Sequence, residues 1–143
     1  MIAVVLLGNA GCVCSAHLPE TSLTVDHTQL ELEVASTPKD RACGLAYRSE
    51  LKAHRGMLFV VPEPTDLEFW MGNTRLPLSI AFLDDNGQVL SISDARPLQR
   101  HEHYRSPAPA RYAIEVNVGW FEEHGVSVGD LLSIELPEGL SVR

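Results

Sequence analysis

Leu78-Ser79-Ile80-Ala81-Phe82-Leu83-Asp84-Asp85-Asn86-Gly87-Gln88-Val89-Leu90-Ser91-Ile92 reads as strand, turn, strand, and this stretch decides the fold class. Asn86-Gly87 supplies the positive φ angles of a tight primed turn, so its two apolar runs are expected to pair antiparallel. The same logic extends outward. Upstream, Leu23 and Val25, then Leu30, Leu32 and Val34, alternate with polar residues around Asp26-His27-Thr28-Gln29, which predicts a second hairpin. Met57-Leu58-Phe59-Val60-Val61, bounded by Pro62 and Pro64, has the unbroken apolar character of a strand covered on both faces. Residues 67–71 alternate and end in a polar elbow at 73–77. Downstream, 111–118 is a strand, 119–124 a short helix closed by Gly125, and 131–136 a last strand. Residues 95–110 carry three prolines and read as a long loop.

One helix has a clear start. Thr37 is placed to cap, Pro38 suits the first helical position, and Asp40 complements the positive end of the helix dipole. The helix is expected to reach residue 45 or 46, with Ser49 capping one further turn before Gly56. About seven short strands and two or three brief helices thus predict a mainly β domain, a compact antiparallel sheet curled on itself or barrel-like (α+β as an alternative label). No crossover helix of a parallel fold is expected.

At 143 residues, with 45% hydrophobic and 21% charged residues, the chain suits one domain. Its net charge of -8 argues against binding nucleic acid backbones or anionic lipid headgroups. The apolar run 2–7 is too short to span a bilayer, so no transmembrane helix is expected. Followed by small residues, it resembles the tail of a secretory signal, although the first basic residue is Lys39. Ala10-Gly11-Cys12 resembles the end of a lipoprotein cleavage box, which makes Cys12 a candidate lipid anchor; Ala16 equally suits an ordinary signal-peptidase site. The expected division is residues 1–20 as a signal or lipoprotein-type segment and 21–143 as one β-rich domain, exported and either periplasmic or lipid-anchored in a bacterial envelope. Cys12 and Cys14 lie too close for an ordinary bridge, and Cys43 in its helical context reads as a small buried apolar residue, so no disulfide framework is expected.

Gly44-Leu45 with Arg48, Gly56-Met57-Leu58-Phe59, Phe69-Trp70-Met71 with Asn73-Thr74, Pro77-Leu78 with Ile80 and Phe82, and Glu115 with Gly119 together resemble the bacterial and archaeal family called domain of unknown function 192. The likeness runs from about residue 23 to 136. It implies a compact β-rich domain, often exported, with no established activity. The chain departs from the family pattern at Ala46, Gly72 and Ser79, where relatives usually carry Met, Lys and an acidic residue. Gly72 is expected to leave the elbow barer and more flexible.

Trp70 with Asn73, Thr74, Arg48, Arg75 and Glu115 is the preferred constellation, since an indole face with an amide and a carboxylate suits a small polar ligand. The alternative has Trp70 in the core, Asn73 and Thr74 satisfying the turn, and Glu115 paired with Arg48 or Arg75. His101 and His103 form the one metal-like pair, and two ligands do not make a site. No nucleophile–base motif and no cofactor signature is present. The leading expectation is a non-enzymatic module that binds a glycan, a peptide end or another cell-envelope component beside Trp70. The rival is a hydrolase-like enzyme using Glu115, with a metal at the His101–His103 loop.

Overall fold

The computed structural model describes residues 14–143 and, ahead of them, the backbone strand β1 (Val4–Val5). Apart from Val4–Val5, residues 1–13, on which the signal and lipid-anchor readings fall, lie outside the described residues. Strands β2 (Glu20–Val25) and β3 (Thr28–Ala35) form the first expected hairpin, turned by Asp26 and His27, both at positive φ. Helix α1 (Pro38–Cys43) starts as expected, with the Thr37 hydroxyl accepting from the Asp40 amide at 3.2 Å. It stops sooner than expected, because Gly44 turns the chain at φ 50 and drops Leu45 into the core. Ser49 caps no further helical turn; a tight turn closed by the Arg55 amide on the Lys52 carbonyl at 3.1 Å leads instead into β4 (Arg55–Thr65). That strand passes through Pro62 and Pro64, and its pairing register slips between Val60 and Thr65.

Strand β5 (Leu67–Trp70) is followed by β6 (Leu78–Leu83) and β7 (Val89–Ala95). Their hairpin forms, but the two-residue primed turn does not. Asp84 Oδ1 accepts from the Asn86 and Gln88 amides, both at 2.9 Å, and only Gly87 in the loop takes positive φ. The Asp84 side chain thereby stabilises a longer loop. Within the predicted loop 95–110, β8 (His103–Arg105) pairs with β5. Strand β9 (Ala110–Asn117) and helix α2 (Trp120–Glu123) follow, the latter ended by Gly125 at φ 70. Residues 131–136 are not a strand; a single bridge joins Leu131 to Gln88, and the backbone there turns to Gly87 and the Thr21 hydroxyl.

The large sheet runs β2-β3-β4-β9-β6-β7 and the small one β1-β5-β8. The expected curled antiparallel sheet is therefore two sheets, and among the described residues β2 and β7 stay at opposite edges of the large one, so no barrel closes. Against expectation, β3 and β4 are parallel, and the chain crosses between them through α1. One face of the large sheet packs Met57, Phe59, Ile80 and Phe82 against Leu67, Phe69 and Tyr104 of the small sheet. The other packs Leu32, Leu58, Ile114 and Val116 against Trp120 and Phe121 of α2. Cover on both faces accounts for the unbroken apolar run of β4, where each fully buried large side chain contributes roughly 1.5–3 kcal/mol. Gly56 has a separate reason: a Cβ there would sit 2.4 Å from the Glu115 carbonyl oxygen, so β4 and β9 approach closely only without it.

Candidate functional site

Strand register sets the site's frame. Glu33 lies opposite Met57, Met57 opposite Glu115, and Glu115 opposite Ile80, so one row crosses β3, β4, β9 and β6 on the face turned to the small sheet. Arg48 sits over the outer end of this row and holds Glu33 through both carboxylate oxygens, at 2.5 and 3.0 Å. Its guanidinium is therefore committed to Glu33, and neither Arg48 nor Arg75 reaches Glu115. Glu115 is 5% exposed, and its side chain makes no hydrogen bond or ion pair among the described residues. Burial pushes its carboxyl up to about 8, so it is protonated at neutral pH.

The elbow is held together by packing and backbone bonds. The Trp70 indole donates to the Arg100 carbonyl at 3.0 Å, and its half-buried ring lies so close on Gly72 that a Cβ there would be 1.9 Å away. Gly72 thus makes the elbow tighter, contrary to the looseness expected of it. Thr74 is buried, with its amide on the Met71 carbonyl and its carbonyl on the Leu98 amide. Arg75 is exposed. Asn73 accepts the Tyr47 amide at 3.0 Å, which seams the elbow to the 44–48 loop.

A cleft of about 400 Å³ lies on the far side of that loop, between residues 14–18 and the end of α1. Arg48, Glu33, Asp40 and Tyr47 line it. Tyr47, at φ 66, stands 56% exposed at its edge. Of the six predicted residues only Arg48 lines this cleft; Trp70 packs on Gly72, Thr74 is buried in the elbow, and Glu115 is buried two strands away from Glu33 in the same sheet. Glu33 was hidden in the alternation of β3, whose Leu30, Leu32 and Val34 take one face and leave Glu31 and Glu33 looking like a solvated edge. The cleft wall also holds a Cys14–Cys43 disulfide, Cα atoms 5.7 Å apart. No bridge was expected, because nothing local shows residues 14–18 returning beside α1, 29 residues on.

His103 Nδ1 is bonded to Glu68, whose other oxygen takes Arg105 Nε at 3.0 Å. Partial desolvation would raise Glu68, but hydrogen bonds from His103 and Arg105 outweigh it and hold the carboxyl below its ordinary value. His101 is exposed at a bend, and no three metal-ligating groups gather among the described residues.

A family model described as an uncharacterised protein group, domain of unknown function 192, matches residues 21–134. The chain belongs to this family. Solved structures of similar fold include one from Sinorhizobium meliloti 1021, provisionally labelled a transcription regulator, with 30% identity, a TM-score of 0.76, and 83% of this chain and 96% of that one covered. Another, from Novosphingobium aromaticivorans DSM 12444, is a protein of unknown function, with 28% identity, a TM-score of 0.75, and 87% and 94% covered. No curated protein matches.

Proposed function

We propose that this domain of unknown function 192 protein is a non-enzymatic binding module that takes a short neutral or amino sugar in the cleft between residues 14–18 and 43–48. One observation carries the reading: an exposed tyrosine, an arginine and two carboxylates converge on a single cleft of about 400 Å³. A tyrosine face stacks on the apolar face of a sugar ring, and carboxylates accept from its hydroxyl or amino groups. The net charge of -8 disfavours an anionic ligand, and equally a nucleic acid such as the label on the Sinorhizobium meliloti relative would call for. Titrating N-acetylated amino-sugar oligomers into the oxidised protein by calorimetry tests it. Tyr47→Ala should weaken binding at least about tenfold, the loss of roughly 1.4 kcal/mol. Absence of heat with every sugar, or equal binding by the variant, rejects the reading.

The proposal includes export, supported by a disulfide that suits an oxidising compartment. A bridge at Cys14 survives only if processing falls ahead of residue 14. That favours cleavage before Cys12 with lipid attachment there over cleavage after Ala16. The mass of the mature N-terminus decides: an acylated Cys12 supports the reading, and a start at His17 refutes it.

A further inference from the structure

We propose that the Cys14–Cys43 bridge is a thiol–disulfide exchange site for a protein dithiol, and that opening it releases residues 14–18 as a strap from the wall of the cleft. The regulatory consequence rests on the sugar-binding reading of that cleft; the exchange chemistry does not. Both cysteines are only half-buried and stand at the cleft wall. A disulfide within reach of solvent and of an incoming thiolate is the labile kind, unlike one sealed in a core.

Little else holds the strap. From Cys14 to Leu18 the described residues show one polar tie, Ser15 Oγ on the Asp40 carboxylate at 2.8 Å, exposed to competing water, and Leu18 packs only in part on the core. The backbone becomes anchored at Pro19, whose carbonyl accepts the Val34 amide at 2.7 Å, and then enters β2. The large sheet does not depend on the strap, so the bridge can open while the fold persists. Segments with few buried contacts and exposed hydrogen bonds are the ones that open locally. Four of the residues lining the cleft, Cys14, Ser15, Ala16 and Leu18, would leave with the strap.

The chemistry closes on itself. A thiolate of the donor attacks Cys43 Sγ, the S–S bond breaks, and Cys14 departs with the electron pair and takes a proton. Cys43 is the last residue of α1, at the negative end of the helix dipole, which disfavours a thiolate there and makes Cys14 the better leaving group. The donor's second thiol, deprotonated, then attacks the donor sulfur of the mixed disulfide and frees Cys43, which is protonated. The donor ends as a disulfide, and this chain gains two electrons and two protons.

Dithiothreitol is the probe, added to the native protein at neutral pH, with thiols trapped by alkylation and counted by mass while circular dichroism follows the sheet. After the reductant is removed, elastase cleavage at Ala16 reads the strap. Both thiols are expected to be trapped with the sheet intact, and cleavage is expected to rise at least about tenfold. Cys14→Ser, which lacks the bridge without any reductant, should show the same cleavage. Trapping only as the sheet melts, or an opened bridge with unchanged cleavage, overturns the proposal. Sugar affinity, measured on both forms, should differ by about tenfold, and equal affinity overturns the regulatory part. If no sugar binds even the oxidised form, the functional reading falls, while trapping and cleavage still decide the exchange site.

Discussion

Arg48 holds the Glu33 carboxylate in a two-pronged grip and so fastens the 44–48 loop to the edge of β3. The two ends of this pair are not equivalent, since the Glu33 side chain is 14% exposed and that of Arg48 34%. Arg48→Ala leaves a mostly buried carboxylate without its donor and should cost about 1–3 kcal/mol. Glu33→Ala leaves a guanidinium that water can reach and should cost less. Urea melts of both single variants and the double variant measure the pair, with a coupling of roughly 1 kcal/mol expected of a partly buried ion pair. The reverse ranking would mean that the loop is held some other way.

Glu115 gives a pH signature. Its folded value of about 8 lies above the ordinary 4.5, so the folded state binds the proton more tightly. Its contribution to stability is full below pH 4.5 and is lost as pH rises through 8, at a slope on the order of 1 kcal/mol per pH unit. Glu115→Gln keeps the shape and removes the titration. The variant should match the parent within about 1 kcal/mol at pH 4.5 and gain on it by a few kcal/mol at pH 9. Denaturant melts of the two proteins across that range are the measurement, and parallel curves would show that Glu115 is ionised in the folded state.

Ser79 does the work of a turn lock at the far end of the same sheet. Its hydroxyl donates to Asp94 at 2.7 Å and accepts the Gly119 amide at 3.0 Å, joining β6, β7 and the start of α2. Ser79 is 2% exposed, so Ser79→Ala strands a buried amide and should cost about 1–2 kcal/mol in thermal melting. Ser79→Asp sets a second carboxyl opposite Asp94 and should cost at least as much at pH 7, the excess shrinking in acid. A neutral Ser79→Ala would show that water reaches the Gly119 amide.

Local chemistry was readable wherever one or two residues decide it. Thr37 capping α1, the alternation around Asp26-His27 and the two-sided burial of Met57–Val61 all follow from single side chains or simple periods. What depends on distant partners was not. Strand β8 spans three residues beside several prolines and exists because β5 offers it an edge. The parallel pairing of β3 with β4 is set by how the short α1 crosses the sheet, which no period records. The cleft was missed for the same reason, since Glu33, Asp40 and Tyr47 meet Cys14 only after the strap folds back. Arg48 alone was found, through its place in a family motif.

Gly72 offers the sharpest test of the elbow. A methyl group at this position would penetrate the Trp70 ring, with 1.9 Å to the nearest ring carbon, and the ring is itself held by the indole bond to Arg100. Gly72→Ala must therefore push the indole outward, break that bond and loosen the 95–100 loop. Overpacking of this kind costs about 1–3 kcal/mol, and Trp70 should shift its emission to the red as water reaches the ring. Trp120, buried against His124 on the opposite face, is an internal reference that should not change. Measuring the emission of Gly72→Ala in a Trp120→Phe background isolates Trp70. If the spectrum and melting temperature there match those of the Trp120→Phe parent, the indole does not rest on Gly72, and the elbow is free to act as the flexible strip that its glycine first suggested.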